Sequence, residues 1–131
     1  MHSETFLRRV LWADAATCAA FAILMAIAGD PLEALLGIPR AVHLVALALL
    51  VPSALLMAFT ASRRPLFTAG VILIVCGNAA WVLASFWLAL SGVFAPTGPS
   101  IAFLMVQAAA VAAIAMLEYS ALRQTRRNLA A

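Results

Sequence analysis

The sequence predicts an all-α fold: a four-helix transmembrane bundle with a short surface helix between the first two spans. Three observations predict it. Of 131 residues, 66% are hydrophobic and only 10% are charged, and mean hydropathy is +1.10. A soluble domain holds about 45–50% apolar and about 25% charged residues, and a short soluble chain cannot bury so much apolar surface. The solvent for that surface is lipid. The apolar residues also fall into four continuous runs of about 18–25 residues, the length a helix rising 1.5 Å per residue needs to cross ~30 Å of hydrocarbon. Barrel strands are shorter and alternate, so they are excluded. The length indicates one domain, 1–131.

The first span is expected over about 11–28, from Leu11 to Ala28. Arg8-Arg9, the apolar stretch and Ala26-Ile27-Ala28 have the layout of a cleavable signal. Trp12 and Asp14 interrupt that stretch, so a retained span is expected. Asp30-Pro31-Leu32-Glu33 then reads as a helix start, with Asp30 as cap and Pro31 in the first helical position. Gly37 and Pro39 end this element, giving an interfacial helix over about 31–36. The second span follows over about 42–61, with Pro52 beside Ser53 as a kink and hinge candidate. Ser62-Arg63-Arg64-Pro65 is a tight connection to the third span, about 66–90. A turn-rich loop from Ser91 through Pro96 to Ser100 leads into the fourth, about 101–122.

All eight basic residues are Arg, and they sit at the ends of the apolar runs. Headgroup anchoring accounts for that placement. No basic face interleaved with aromatics exists to read nucleic acid, so none is expected as a partner. With four spans, the N-terminus, the 62–65 loop and the C-terminus share one side and carry seven of the eight Arg; Arg40 alone lies opposite, beside Asp30 and Glu33. The positive-inside rule then places both termini in the cytoplasm.

Polar groups inside the spans are the informative ones, because lipid offers them no partner. Counted along helices from the flanking Arg, Asp14 and Glu118 lie roughly 7–8 Å deep, Asn78 roughly 21 Å and Gln107 roughly 24 Å. This predicts an acidic layer near the cytoplasmic side and an amide layer near the middle, where Asn78 and Gln107 pair with each other or share a partner. Asp14, Cys18, Phe21 and Met25 line one face of the first span, and Asn78, Trp81 and Ser85 one face of the third. Gln107, Val111, Ile114 and Glu118 do so on the fourth. These faces are expected to meet inside the bundle, giving a candidate intramembrane polar site of Asp14, Asn78, Trp81, Ser85, Gln107 and Glu118. Neutralisation by neighbouring Arg is the expected state of Asp14 and Glu118. Close helix approach is expected along Ala15/Ala19, Ala16/Ala20, Ala108/Ala112 and Ala109/Ala113.

Nothing in the chain reads as an enzyme site. His2 and His43 fall at opposite membrane faces, and no two metal-binding residues pair at ligand spacing on one helix. There is no Ser-His-Asp arrangement and no phosphate loop. Cys18 and Cys76 lie in apolar runs, form no C-x-x-C and are expected to be ordinary buried thiols. No metal and no cofactor are expected.

The stretch Gly77-Asn78-Ala79-Ala80-Trp81-Val82-Leu83-Ala84-Ser85, followed by Pro96-Thr97-Gly98 and Gln107-Ala108-Ala109-Ala110-Val111, resembles a group of small four-span bacterial integral membrane proteins. The resemblance implies a bacterial inner membrane and no particular activity. Asp14 in the first span, and Ala84-Ser85-Phe86-Trp87-Leu88 with Pro96-Thr97-Gly98, are also similar to the small multidrug resistance family, whose members are proton-coupled exporters. That family places the stretch between its second and third spans and uses Glu as the acid. The function expected is that of a non-catalytic accessory or scaffolding component of a membrane assembly, surrounded by lipid and acting in a homo-oligomer or larger complex. The alternative is a small oligomeric proton- or cation-coupled transporter using Asp14.

Overall fold

Among the described residues five helices follow in order: α1 (His2–Ile27), α2 (Gly29–Leu36), α3 (Arg40–Ser62), α4 (Thr68–Leu90) and α5 (Gly98–Ala130). The computed structural model describes residues 2–95 and 97–131; Pro96, part of the expected turn-rich loop, lies outside them. α1, α3, α4 and α5 are each long and apolar enough to cross a membrane. The chain is a multi-pass membrane protein built as a four-helix bundle.

The helices outrun the apolar stretches. α1 begins at His2 and α5 continues to Ala130, because charge ends a hydrophobic run without ending a helix. Arg is a good helix former, and no Gly or Pro interrupts these segments. At the start of α1, Arg8 and Glu4 form an ion pair of 2.6 Å one helical turn apart. α4 starts later than its apolar stretch, at Thr68, because Pro65 and the extended backbone at Arg63 hold residues 63–67 out of the helix. α2 starts earlier than expected. Ala28 is its N-cap, without a side-chain cap bond, so Asp30 lies in the first turn instead. Asp30 faces water and lies 3.8 Å from Arg40. Gly37, at φ 64°, closes α2 in the left-handed conformation that favours glycine. At α5, Thr97 is the cap, its hydroxyl accepting from the Ser100 N–H.

The long helices form a square. α1 packs chiefly on α3 and α4 chiefly on α5, with α1–α5 and α3–α4 completing the ring. α1 and α4 are therefore diagonal, and their Cα atoms nowhere approach within 8 Å. Three apolar clusters fill the interior. One, at the end holding both termini, contains Leu7, Leu11, Met57, Val71, Ile74 and Leu122. The second, around Ala22, Met25 and Leu50, and the third, around Leu36, Ile38, Ala89 and Leu104, lie toward α2. The outer faces carry exposed Leu, Val, Ile and Phe throughout, as lipid contact requires. Trp12 and Tyr119, each about one turn from an Arg (Arg9 and Arg123), and Trp87, near the end of α4, are exposed, as suits amphipathic rings at headgroup level.

One packing expectation changes. Of the small-residue stripes, Ala15 and Ala108 turn inward, while Ala16, Ala19, Ala20, Ala109 and Ala113 face outward. α3 runs through Pro52 as one helix, with Pro52 on the lipid face and the Ser53 hydroxyl donating to the Leu49 carbonyl at 2.7 Å.

Candidate functional site

Three helices deliver polar side chains to the bundle axis at one level. Asp14 from α1 is 2% exposed, Glu118 from α5 is 0% exposed and Asn78 from α4 is buried with them. The Asn78 amide nitrogen donates to Asp14 Oδ2 at 2.9 Å and to Glu118 Oε2 at 3.2 Å. The two carboxyl groups are thus held on either side of one nitrogen. Glu118 Oε1 is buried with no partner, and the Cys18 thiol, one turn above Asp14, makes a long 4.0 Å contact to Oδ1. A side-chain amide has two N–H groups, so Asn78 spends its whole donor capacity on the two acids.

Among the described residues no cation lies within ion-pairing distance of the pair. Among the described residues the ion pairs are Arg8–Glu4 and Arg40–Asp30. Arg8 also donates to the Ala61 carbonyl, which holds it at the end of α3 rather than inside the bundle. Arg123, Arg126 and Arg127 line an open groove with Tyr119 on the outer side of α5. The expectation that Arg neutralises Asp14 and Glu118 is thus corrected. An Arg side chain at a helix end reaches water more cheaply than it crosses a packed apolar layer, and Leu7, Leu11 and Leu122 form that layer here.

One turn further toward α2 lies a second polar group. Trp81 Nε1 donates to Gln107 Oε1 at 2.7 Å, and Gln107 Nε2 donates to Ser85 Oγ at 2.6 Å and to the Leu104 carbonyl at 3.2 Å. Ser85 Oγ in turn donates to the Trp81 carbonyl at 2.8 Å. This clasp ties α4 to α5. The six candidate residues therefore all face the interior but divide into two triads, Asp14–Asn78–Glu118 and Trp81–Ser85–Gln107. Asn78 joins the acids rather than Gln107. Its depth, counted as continuous helix from Arg64, included residues 63–67, which are not helical, so a helical rise does not apply to them.

Other polar groups were missed at the sequence level. His43 Nδ1, Thr60 Oγ1 and Ser100 Oγ are buried without a partner, and only the length of each helix from its ends hints at their depth. Among the described residues no group of three His, Cys, Asp or Glu side chains is placed to hold a metal.

What the acid triad can do follows from electrostatics. Two carboxylates that share one donor inside a low-dielectric bundle repel each other and lose hydration, and a single amide does not offset either cost. Carboxyl pairs in contact share a proton for this reason. Compared with protein-family models, curated proteins and solved structures, the chain matches none of them.

Proposed function

We propose that this membrane protein binds and releases a proton or small cation at the Asp14–Glu118 pair and acts as a small proton- or cation-coupled transporter. One observation carries this reading: two buried carboxyl groups from different helices share one amide donor and have no basic partner among the described residues. A static scaffold has no use for such a pair, because apolar residues of similar volume pack as well without the desolvation cost. Intramembrane acids facing a bundle interior mark ion and proton pathways. The Arg distribution supports cytoplasmic termini, and the likeness of residues 77–85 to small four-span bacterial proteins supports a bacterial inner membrane. A bundle this small leaves little room for a substrate between its own helices, which favours work as a homo-oligomer.

The test is proton flux in reconstituted vesicles under an imposed pH gradient. Wild-type protein should dissipate the gradient, and Asp14→Asn and Glu118→Gln should each abolish that activity while remaining folded. An accessory or scaffolding role is the conclusion if wild type carries no proton or cation and both variants behave like it.

A further inference from the structure

The acid pair lies between two unlike halves of the bundle, and the difference bears on how a proton reaches it. Toward the termini, Leu7, Leu11 and Val71 are each 0% exposed, and Met57, Ala61, Ile74 and Leu122 close around them. None of these seven side chains offers water a strong hydrogen bond. Thr60 Oγ1, the unpartnered polar atom on that side, lies in the α3–α4 contact, beside the position a Cβ on Gly70 would take. Toward α2 two apolar clusters also fill the interior, but a line of polar groups runs beside them along the α4–α5 seam. Trp81 and Gln107 are only partly buried, and Ser85 bonds to both residues. Further out on the same side, Ser100 Oγ and His43 Nδ1 are buried without protein partners, the condition under which buried groups take up water.

We infer that the Asp14–Glu118 pair exchanges its proton with water from the α2 side, along the α4–α5 seam lined by Trp81, Ser85 and Gln107. The inference rests on the acid pair being a proton-binding site. Water entering from that side meets a hydrogen-bonding group on successive turns of α4: Ser85, the Trp81 indole with its Gln107 partner, then Asn78. Water entering from the termini must instead cross a layer of packed hydrocarbon more than one turn deep on α1, from Leu7 to Leu11, before it reaches Asp14. Gln107 is a positioning residue here. It holds Trp81 and Ser85 in the seam and presents its own amide to it.

The route is tested by single-cysteine variants Ser85→Cys and Val71→Cys in a Cys18→Ala, Cys76→Ala background, in sealed vesicles of known orientation. A membrane-impermeant thiol reagent should label Ser85→Cys from the α2 side about tenfold faster than it labels Val71→Cys from either side, a difference of roughly 1.4 kcal/mol in exposing the two positions. Equal or faster labelling of Val71→Cys from the termini side overturns the inference. A second measurement needs no thiol. In Gln107→Leu the purified protein should bind as many protons as wild type but exchange them more slowly, by about three- to thirtyfold if one interhelical hydrogen bond of about 0.6–2 kcal/mol shapes the path. Gln107→Asn should restore part of the rate, and an unchanged rate in Gln107→Leu contradicts the route. The proton-binding reading fails separately, on proton uptake that Asp14→Asn combined with Glu118→Gln leaves intact.

Discussion

Asn78 and Asp14 hydrogen-bond at 2.9 Å although their helices stand at opposite corners of the bundle. With the α1 and α4 backbones held apart along their whole length, this is a contact across the axis, and Glu118 joins it from the α5 corner. Interior polar contacts usually fasten adjacent helices, as Trp81 and Gln107 do here. A diagonal contact instead ties the two helical hairpins together at one point and places the acids where all three helices sense their charge.

Neutralising one acid should leave the fold intact. Asp14→Asn and Glu118→Gln each remove a repelling carboxyl while keeping a polar group for Asn78, so thermal stability in detergent should hold or rise by roughly 1 kcal/mol. An Arg-paired acid would give the opposite sign. A clear drop in melting temperature for both variants would reveal a basic partner.

Asn78→Leu should destabilise far more than either acid substitution. It strips both carboxyls of their shared donor, and a buried polar group left unsatisfied costs about 1–3 kcal/mol, more when charged. Unfolding of the variant beside Asn78→Asp and wild type measures this. Adding Glu118→Gln to Asn78→Leu should recover part of the loss, because the new amide can donate to Asp14.

The Trp81–Gln107 bond should show as energetic coupling. A double-mutant cycle of Trp81→Phe and Gln107→Leu is expected to give roughly 0.6–1.7 kcal/mol of non-additivity, the range for interhelical hydrogen bonds in membranes. Additive losses would mean that the clasp contributes packing alone.

Gly70→Ala should weaken the α3–α4 crossing. A Cβ there would lie 2.5 Å from both Thr60 Oγ1 and the Phe67 ring, and overpacking of this kind costs about 1–3 kcal/mol. Gly77→Ala, where a Cβ would meet nothing within 4 Å, is the matched control and should be neutral or slightly stabilising.

Reporter fusions placed after Arg127 and within residues 92–95 should report opposite compartments, with the Arg127 fusion cytoplasmic. Both fusions on one side would contradict an even number of spans.

The bundle was legible because lipid leaves few ways to fold: continuous apolar runs of spanning length must be helices, and the turn-forming residues between them mark the connections. The inward faces were legible for the same reason. Asp14, Asn78 and Glu118 have nowhere favourable to point except inward, and each shares a helical face with other interior residues. Which groups pair was not legible. Pairing depends on the relative heights of helices, and those depend on how many residues a connection takes out of the helix, as residues 63–67 do before α4. Arg8 shows a second limit. Its sequence neighbourhood offered Asp14 as a partner, yet Glu4 and the Ala61 carbonyl take it at the helix end.

The central claim is that Asp14 and Glu118 hold an exchangeable proton between them, and infrared spectroscopy of the purified protein in lipid tests it most directly. At neutral pH the wild type should show a protonated carboxylic-acid C=O band that shifts in deuterated buffer and is missing from the Asp14→Asn, Glu118→Gln double variant. A wild-type spectrum with no protonated carboxyl band, and with carboxylate intensity that falls by two groups in the double variant, would show both acids ionised and contradict the account.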